Sequence, residues 1–204
     1  MTLPTASPIA VERHDQRWSP RGAQLIAALR PALGPLALRL EHIGSTSIPG
    51  MAAKPVFDLQ VSVRDLAAAA EAFDPPLAAL GLHRRPYEAD HVPAGRRDDP
   101  RRWAKRYWNG AMSIRDASVP GDALRAERVH LHARVAGSPN ERLALLFREW
   151  FRAHPEAVPA YGDFKATLAE AVASRESYTE VKDPVVDLVI VTAEAWADRT
   201  GWRP

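Results

Sequence analysis

The segment Pro55–Val63, PVFDLQVSV, divides into two faces: Phe57, Leu59, Val61 and Val63 point one way, Asp58, Gln60 and Ser62 the other. This period of two is the mark of a strand with one apolar and one polar face. A second such strand is expected at Val129–Val135, VHLHARV. There Val129, Leu131, Ala133 and Val135 share one face, and His130, His132 and Arg134 the other. A third, Leu36–His42, LALRLEH, alternates in part and runs into Gly44-Ser45.

Helical signals lie between and after these strands. Pro20 to about Leu33 suits a helix with Ser19 as cap, Pro20 in its first turn and Gly34 at its C-cap. Asp65 to Leu80 is helical, with a break expected at Asp74-Pro75-Pro76. Ser138-Pro-Asn-Glu141 is a capping box that opens a helix to about Ala153, and His154-Pro155 ends it. A second C-terminal helix is expected within Pro155–Ala173. A third is expected to start at Asp183-Pro184, with Val185, Leu188, Val189, Thr192 and Trp196 at helical spacing. Met1–Asp15 reads as a loose arm. Leu82–Arg128 is too long for a featureless loop, so part of it should be strand and part a mobile excursion. The resulting class is α+β: a small mixed or antiparallel sheet with helices on one face. In one domain, 1–204, the core takes about 16–136, and a helical part, about 137–200, packs beside it.

Composition removes several chemistries. The chain of 204 residues has no cysteine, so disulfides, thiolate metal sites and thiol catalysis are excluded. That absence suits a reducing cytoplasm, the expected location. The first fifteen residues lack the apolar run of a signal peptide, and no stretch approaches a membrane span. A net charge of +2 is too small to imply nucleic-acid binding. Trp103, Tyr107 and Trp108 beside an Arg-rich loop leave only a weak case for single-stranded RNA. That loop (Arg96, Arg97, Arg101, Arg102, Lys105, Arg106) either closes over an anion or is a solvated surface balanced by Asp98 and Asp99.

The stretch Glu41–Val63, EHIGSTSIPGMAAKPVFDLQVSV, carries the chemistry. Gly-Ser after a strand brings backbone N–H groups and a hydroxyl toward phosphate oxygens. Asp58, on the next strand, could hold the metal ion that phosphates carry. Lys54 lies just ahead of that strand and could approach the same phosphates. The bland alternative is a plain strand–turn–helix with Asp58 facing solvent.

HIGSTSIPGMAAKP followed by a strand with a central Asp resembles the GrpB family, within the nucleotidyltransferase superfamily (the polymerase beta fold). Further resemblance lies in VHLH at Val129–His132, SPNERLALLFREWFRAHPEAVPAY at Ser138–Tyr161, Lys165, and YTEVKDPVV at Tyr178–Val186. The block also resembles the C-terminal domain fused to dephospho-CoA kinase in some actinobacterial proteins. No P-loop, GxxxxGK[ST], occurs here, so that kinase step is not expected of this chain. The resemblance implies a nucleotidyl group transferred from an NTP, ATP first, with Mg²⁺. Gly44, Ser45 and Thr46 would hold phosphates, Asp58 the metal, and Lys54 the developing charge. Lys165 and Lys182 would contact phosphate, and Tyr178 would stack on a base. It also implies a partner, dephospho-CoA kinase, with the alternative that this chain is a non-catalytic module binding a nucleotide or CoA-like ligand.

One position departs from the superfamily pattern. A second carboxylate should follow Asp58 on its strand, and Gln60 stands there. A neutral amide adds no charge, so Asp58 with Gln60 is a poor cradle for two Mg²⁺ ions. His130 and His132 would point to the same site if their strand neighbours that of Asp58. With Asp58 they form either a metal set, which would favour a transition metal over Mg²⁺, or a hydrogen-bonded polar face. His42 is expected to brace the turn. Phe147, Trp150 and Phe151 are expected in the core.

Overall fold

The alternating segments do form strands, and they pair into one sheet. The computed structural model describes residues 10–115, 124–172 and 174–204. Strands β1 (Arg39–Ile43), β2 (Phe57–Val63), β3 (Leu82–Arg85), β4 (Lys105–Arg115) and β5 (Leu124–Val135) lie in the order β1-β2-β5-β4-β3. Only the central β2–β5 pair is parallel; the other pairings are antiparallel, so the sheet is mixed.

Parallel pairing is what creates the polar face. It sets Asp58 opposite His130, Gln60 opposite His132 and Ser62 opposite Arg134. The antiparallel neighbours extend this face with Glu41 opposite Gln60 and Tyr107 opposite His132.

The apolar face is covered by α1 (Trp18–Leu33) and α2 (Leu66–Ala79). Leu25, Leu29, Phe73 and Leu77 from these helices pack with Phe57, Leu59, Val61, Trp108 and Leu131 in one buried cluster. Each such side chain contributes about 1.5–3 kcal/mol by leaving water. This cluster is therefore the main source of stability in the sheet half.

The polar face is covered too, by the C-terminal helices α3 (Pro139–Ala153), α4 (Val158–Ala171) and α5 (Arg175–Thr200). They lie across the sheet rather than beside it. Glu141 of α3 accepts from Ser62 Oγ, from Arg39 Nη2 at 2.8 Å and from the Gly137 N–H at 2.8 Å. Arg148 donates to Glu41 at 2.8 Å and to the His42 carbonyl at 2.7 Å. Buried Glu141 thus serves less as a capping-box residue than as a pin through the sheet face. Ser138 keeps its capping role, accepting from the Glu141 N–H.

Several boundaries differ from the sequence expectations, each for a local reason. Helix α1 begins at Trp18, two residues early, because Trp18 is itself buried. Strand β1 begins at Arg39, since Gly34–Leu36 forms a 3-10 turn. Helix α2 passes through Pro75-Pro76 without a break. Its last turn is held by buried Leu77 and by Asp74, which accepts from Trp108 Nε1 at 2.8 Å. Helix α5 likewise runs through Asp183-Pro184, from its Ser174 cap to Gly201 at φ +70°. Its buried stripe includes Ile190, Ala193 and Ala197, whereas Leu188 and Thr192, read at helical spacing with Val185, Val189 and Trp196, are exposed. Tertiary packing outweighs the proline cost in both helices. Within Leu82–Arg128, strands β3, β4 and the start of β5 appear; residues 116–123 lie outside the described residues. Phe151 is fully buried, with Phe147 and Trp150 packed against the same clusters. Among the described residues no helix is long and apolar enough to cross a membrane.

Candidate functional site

The turn after β1 is shaped by one glycine. Gly44 adopts φ +68°, a conformation that side-chain-bearing residues rarely take. Its Cα lies so close to the Asp58 carboxylate that any Cβ would overlap Oδ2. The chain then forms a single 3-10 turn, Ser45–Ser47. Ser47 Oγ donates to the Gly44 carbonyl at 2.6 Å. Thr46 Oγ1 donates to the Val56 carbonyl at 3.1 Å, which leaves it to accept from His42 Nε2 at 2.9 Å. Burial keeps His42 neutral, drawing its pKa down to about 4. His42 is thus the brace expected of it. Thr46, expected among the phosphate ligands, is a second brace, buried with its hydroxyl spent. Of the hydroxyl residues in this turn, Ser45 is the one that lines the cleft.

Asp58 stands behind that turn. His130 Nδ1 lies 3.2 Å and His132 Nε2 3.8 Å from its Oδ1. Burial alone would raise the Asp58 carboxyl, but the two imidazoles overcome it and hold the group well below the usual carboxylate range. Burial and the nearby Arg134 and Lys105 charges draw His132 down to about 4, against the pull of Asp58. At neutral pH the face therefore presents an ionised Asp58 beside a neutral His132.

The second acid position is closed. Gln60 is fully buried; its Oε1 accepts from Arg134 Nη1 at 2.6 Å, and its Nε2 donates to the Glu141 carbonyl at 3.3 Å. The same arginine pairs with Asp90, which also takes Lys105 at 2.7 Å. Burial would raise the Asp90 carboxyl, but these cations hold it low. Among the described residues no group of three or more His, Cys, Asp or Glu is arranged to hold a metal ion. The donor set does not fit a two-Mg²⁺ cradle: one carboxylate is engaged by imidazoles, the next position is a sealed amide, and a guanidinium stands beside it.

Lysines converge instead. Lys165 of α4 is only 3% exposed, and its Nζ donates to Ser45 Oγ at 2.9 Å. Burial, then the Lys182 charge, draw its amine down to about 7; Asp58 opposes this and Lys54 adds to it. Lys182 lines the cleft. Lys54 reaches across to Tyr178, its Nζ 3.7 Å from the ring centroid. Tyr178 is buried with one ring face already covered, so it is not the open stacking platform expected for a base.

Ser45, Asp58 and Lys182 border a cleft of ≈ 320 Å³ between the polar sheet face and the C-terminal helices; Lys165 reaches its edge through Ser45. Its polar wall sets Ser45, His132, Arg134 and Lys182 beside the acids Asp58, Asp90, Asp183 and Asp187, and Phe147 and Ile190 form part of its apolar one. The arrangement suits a polar group attached to a less polar body.

The Arg-rich stretch divides: Arg101 pairs with Asp99 at the surface and Arg96 with Asp98 and Glu194, whereas Lys105 lies in β4, largely buried against Asp90. Trp103, Tyr107 and Trp108 are buried, which removes the stacking surface that RNA would need.

The fold is α+β, a five-stranded mixed sheet with helices over both faces. A family model described as GrpB protein matches residues 8–191, and the chain belongs to that family. It is similar to the crystal structure of GrpB from Enterococcus faecalis, with a TM-score of 0.66 and 24% identity, covering 92% of this chain and 99% of that one. It is 34% identical over 204 residues to a dephospho-CoA kinase of Mycolicibacterium paratuberculosis, covering 97% of this chain and 49% of that protein. The chain thus spans about half the length of the first curated relatives it matches. It is also 30% identical to the UPF0157 protein SCO7215 of Streptomyces coelicolor, covering 90% of this chain and 83% of that one.

Sequence reasoning missed the Arg134–Asp90 clamp and its Asn140 arm, 2.9 Å from Asp90. Alternation placed Arg134 on the face of His132, but nothing local marks Asp90 as its partner.

Proposed function

We propose that the chain binds the phosphates of a nucleotide, ATP being the first to test, in the cleft beside Ser45. Gly44 and Ser45 supply the turn, and Lys165 and Lys182 supply the charge. In this reading lysines do what paired metal ions do in a carboxylate cradle. The observation that carries it is the buried Lys165 ammonium held on Ser45 Oγ at 2.9 Å, with the Lys54 and Lys182 charges pressing on it. Asp58 offsets only part of this crowding of positive charge, and a phosphate would add the anion that is short. Calorimetry tests this: ATP should bind in EDTA and lose affinity in Lys182→Met. No binding, or binding strictly dependent on Mg²⁺, removes the reading.

A specific observation favours a second reading, nucleotidyl transfer to a separate acceptor. Asp58 is held ionised with its side chain 34% exposed, next to the turn. Asp58 would then hold a single Mg²⁺ brought by the nucleotide, with Lys54 near the developing charge. Asp58→Ala would abolish metal-dependent turnover while the fold persists, and undiminished turnover removes this alternative. The Mycolicibacterium and Mycobacterium relatives bear the name dephospho-CoA kinase. We infer that an enzyme of that kind is the first partner to test, by co-elution from a sizing column.

A further inference from the structure

We propose that Ser45 is a nucleophile and Lys165 its general base, so that a bound nucleoside triphosphate transfers a phosphorus-containing group onto the Ser45 hydroxyl. The proposal rests on the nucleotide-binding reading of the same cleft. It adds a covalent step that phosphate binding alone does not require.

Three observations carry it. Ser45 sits where a strand ends, a positive-φ glycine turns the chain and a 3-10 turn begins. That placement presents the hydroxyl at the tip of a sharp turn, into the cleft. Second, the hydrogen-bond partner of the Lys165 amine is this hydroxyl at 2.9 Å, a distance at which a proton can pass. A buried lysine ordinarily finds a carboxylate; here the partner is neutral. Third, burial, then the Lys182 and Lys54 charges, favour the neutral amine that a base needs, against the pull of Asp58. The same cations would attract an anionic electrophile, which selects a phosphoric anhydride over a neutral ester.

The step balances as written. Neutral Lys165 Nζ accepts the Oγ proton as Oγ bonds to phosphorus. The bridging P–O bond breaks, and its electron pair leaves with the departing group. Attack at the terminal phosphorus yields phosphoserine and a nucleoside diphosphate; attack at the α-phosphorus yields nucleotidylserine and pyrophosphate. Lys165 ends as the ammonium and returns its proton to solvent.

Intact-mass analysis and peptide mapping after incubation with ATP provide the test. The expected result is a gain of one phosphate or one AMP at Ser45, absent in Ser45→Ala. Lys165→Arg separates a base from a prop, because arginine keeps the cation but does not deprotonate. At ATP concentrations that saturate that variant, adduct formation should be slowed roughly 10²-fold or more. At subsaturating ATP the wild-type rate should rise with pH through about 7, where Lys165 of the free protein titrates, and at saturating ATP the rise should move to higher pH. An unmodified Ser45 in protein shown by calorimetry to hold ATP overturns the inference and leaves the binding reading standing. So does an undiminished rate in Lys165→Arg. If ATP does not bind, a fluorophosphonate probe decides. Labelling of Ser45 that is lost in Lys165→Arg supports the activated serine, and no labelling overturns it.

Discussion

Arg134 Nη1 donates to Gln60 Oε1 at 2.6 Å, inside the sheet face where a second acidic ligand would otherwise stand. The other edge of the guanidinium grips Asp90 through Nε at 2.8 Å and Nη2 at 3.1 Å. A charged fork satisfied on both sides is a costly group to disturb in a buried setting. Gln60 is therefore part of the architecture of this face.

Gln60→Glu is the sharpest probe of that role. The new carboxylate would meet Arg134 favourably, but it would lose the Nε2 donor to the Glu141 carbonyl. It would also add charge beside Asp90. Leaving a buried carbonyl without its donor costs about 1–3 kcal/mol. The expected outcome is a lower urea midpoint and no gain in Mg²⁺ affinity by calorimetry. A gain in Mg²⁺ binding would mean that the carboxylate escapes Arg134, contrary to this account.

Gly22→Ala sets helix propensity against packing. Alanine in mid-helix should stabilise by about 1 kcal/mol. Here a methyl would overlap the ring of His42, which Thr46 and Phe57 hold in place. Overpacking of this kind costs about 1–3 kcal/mol, so the net change should be destabilising. Denaturant midpoints of the single and double variants with His42→Ala would show the coupling. A stabilised single variant would show that the ring gives way.

Gly44→Ala acts on the site itself. The positive φ alone costs about 1–2 kcal/mol for an L-residue. The added Cβ would also displace the Asp58 carboxylate. Both stability and ATP affinity should fall, and the His130 and His132 imidazole NMR shifts should move with them. Unchanged imidazole shifts would contradict the predicted displacement of Asp58.

The legible part of this fold was the part written in short-range pattern. Alternation in FDLQVSV and VHLHARV placed His130 and His132 on the polar face, and the structure then set them against Asp58. Gly44-Ser45 marks the turn, and the family resemblance points to Lys165, whose amine meets Ser45 Oγ. What the sequence hid was decided by distant partners. Pro184 reads as a helix start, yet Ile190, Ala193 and Ala197 pack well enough to carry α5 through it. Thr46 reads as a phosphate ligand, yet His42 and Val56 take its hydroxyl. Glu141 reads as a capping residue, yet it bonds across to Ser62 on β2.

On the acid side, stability should fall with pH because of His42 and His132. Each is drawn down from an unfolded value near 6.5 to about 4. Between those values the unfolded chain binds protons that the folded chain refuses, so stability declines as pH drops from about 6.5 toward 4. The slope approaches about 1.4 kcal/mol per pH unit for each group. Asp58, also held low, adds its loss at still lower pH. Urea midpoints across this range should fall steadily, and less steeply in His42→Gln. A flat profile would mean that these imidazoles are not buried as neutral rings.

On the alkaline side, Lys165 gives the opposite flank the same sign. Its amine titrates near 7 in the folded chain against 10.5 in the unfolded one. From pH 7 to 10.5 the unfolded chain holds a proton that the folded chain has released, so stability should keep rising with pH. The slope again approaches about 1.4 kcal/mol per unit. Lys165→Met should remove this rise and raise the neutral-pH midpoint, because a buried ammonium with a neutral partner is replaced by a thioether. Saturating ATP should do something different. A polyphosphate beside Lys165 restores its affinity for a proton, so binding near pH 7.5 should be accompanied by proton uptake. Calorimetry in buffers of different ionisation enthalpy measures that uptake directly. Binding without proton uptake would place the phosphates away from Lys165, and a Lys165→Met variant no more stable than wild type would show that the amine is not burdened by its burial.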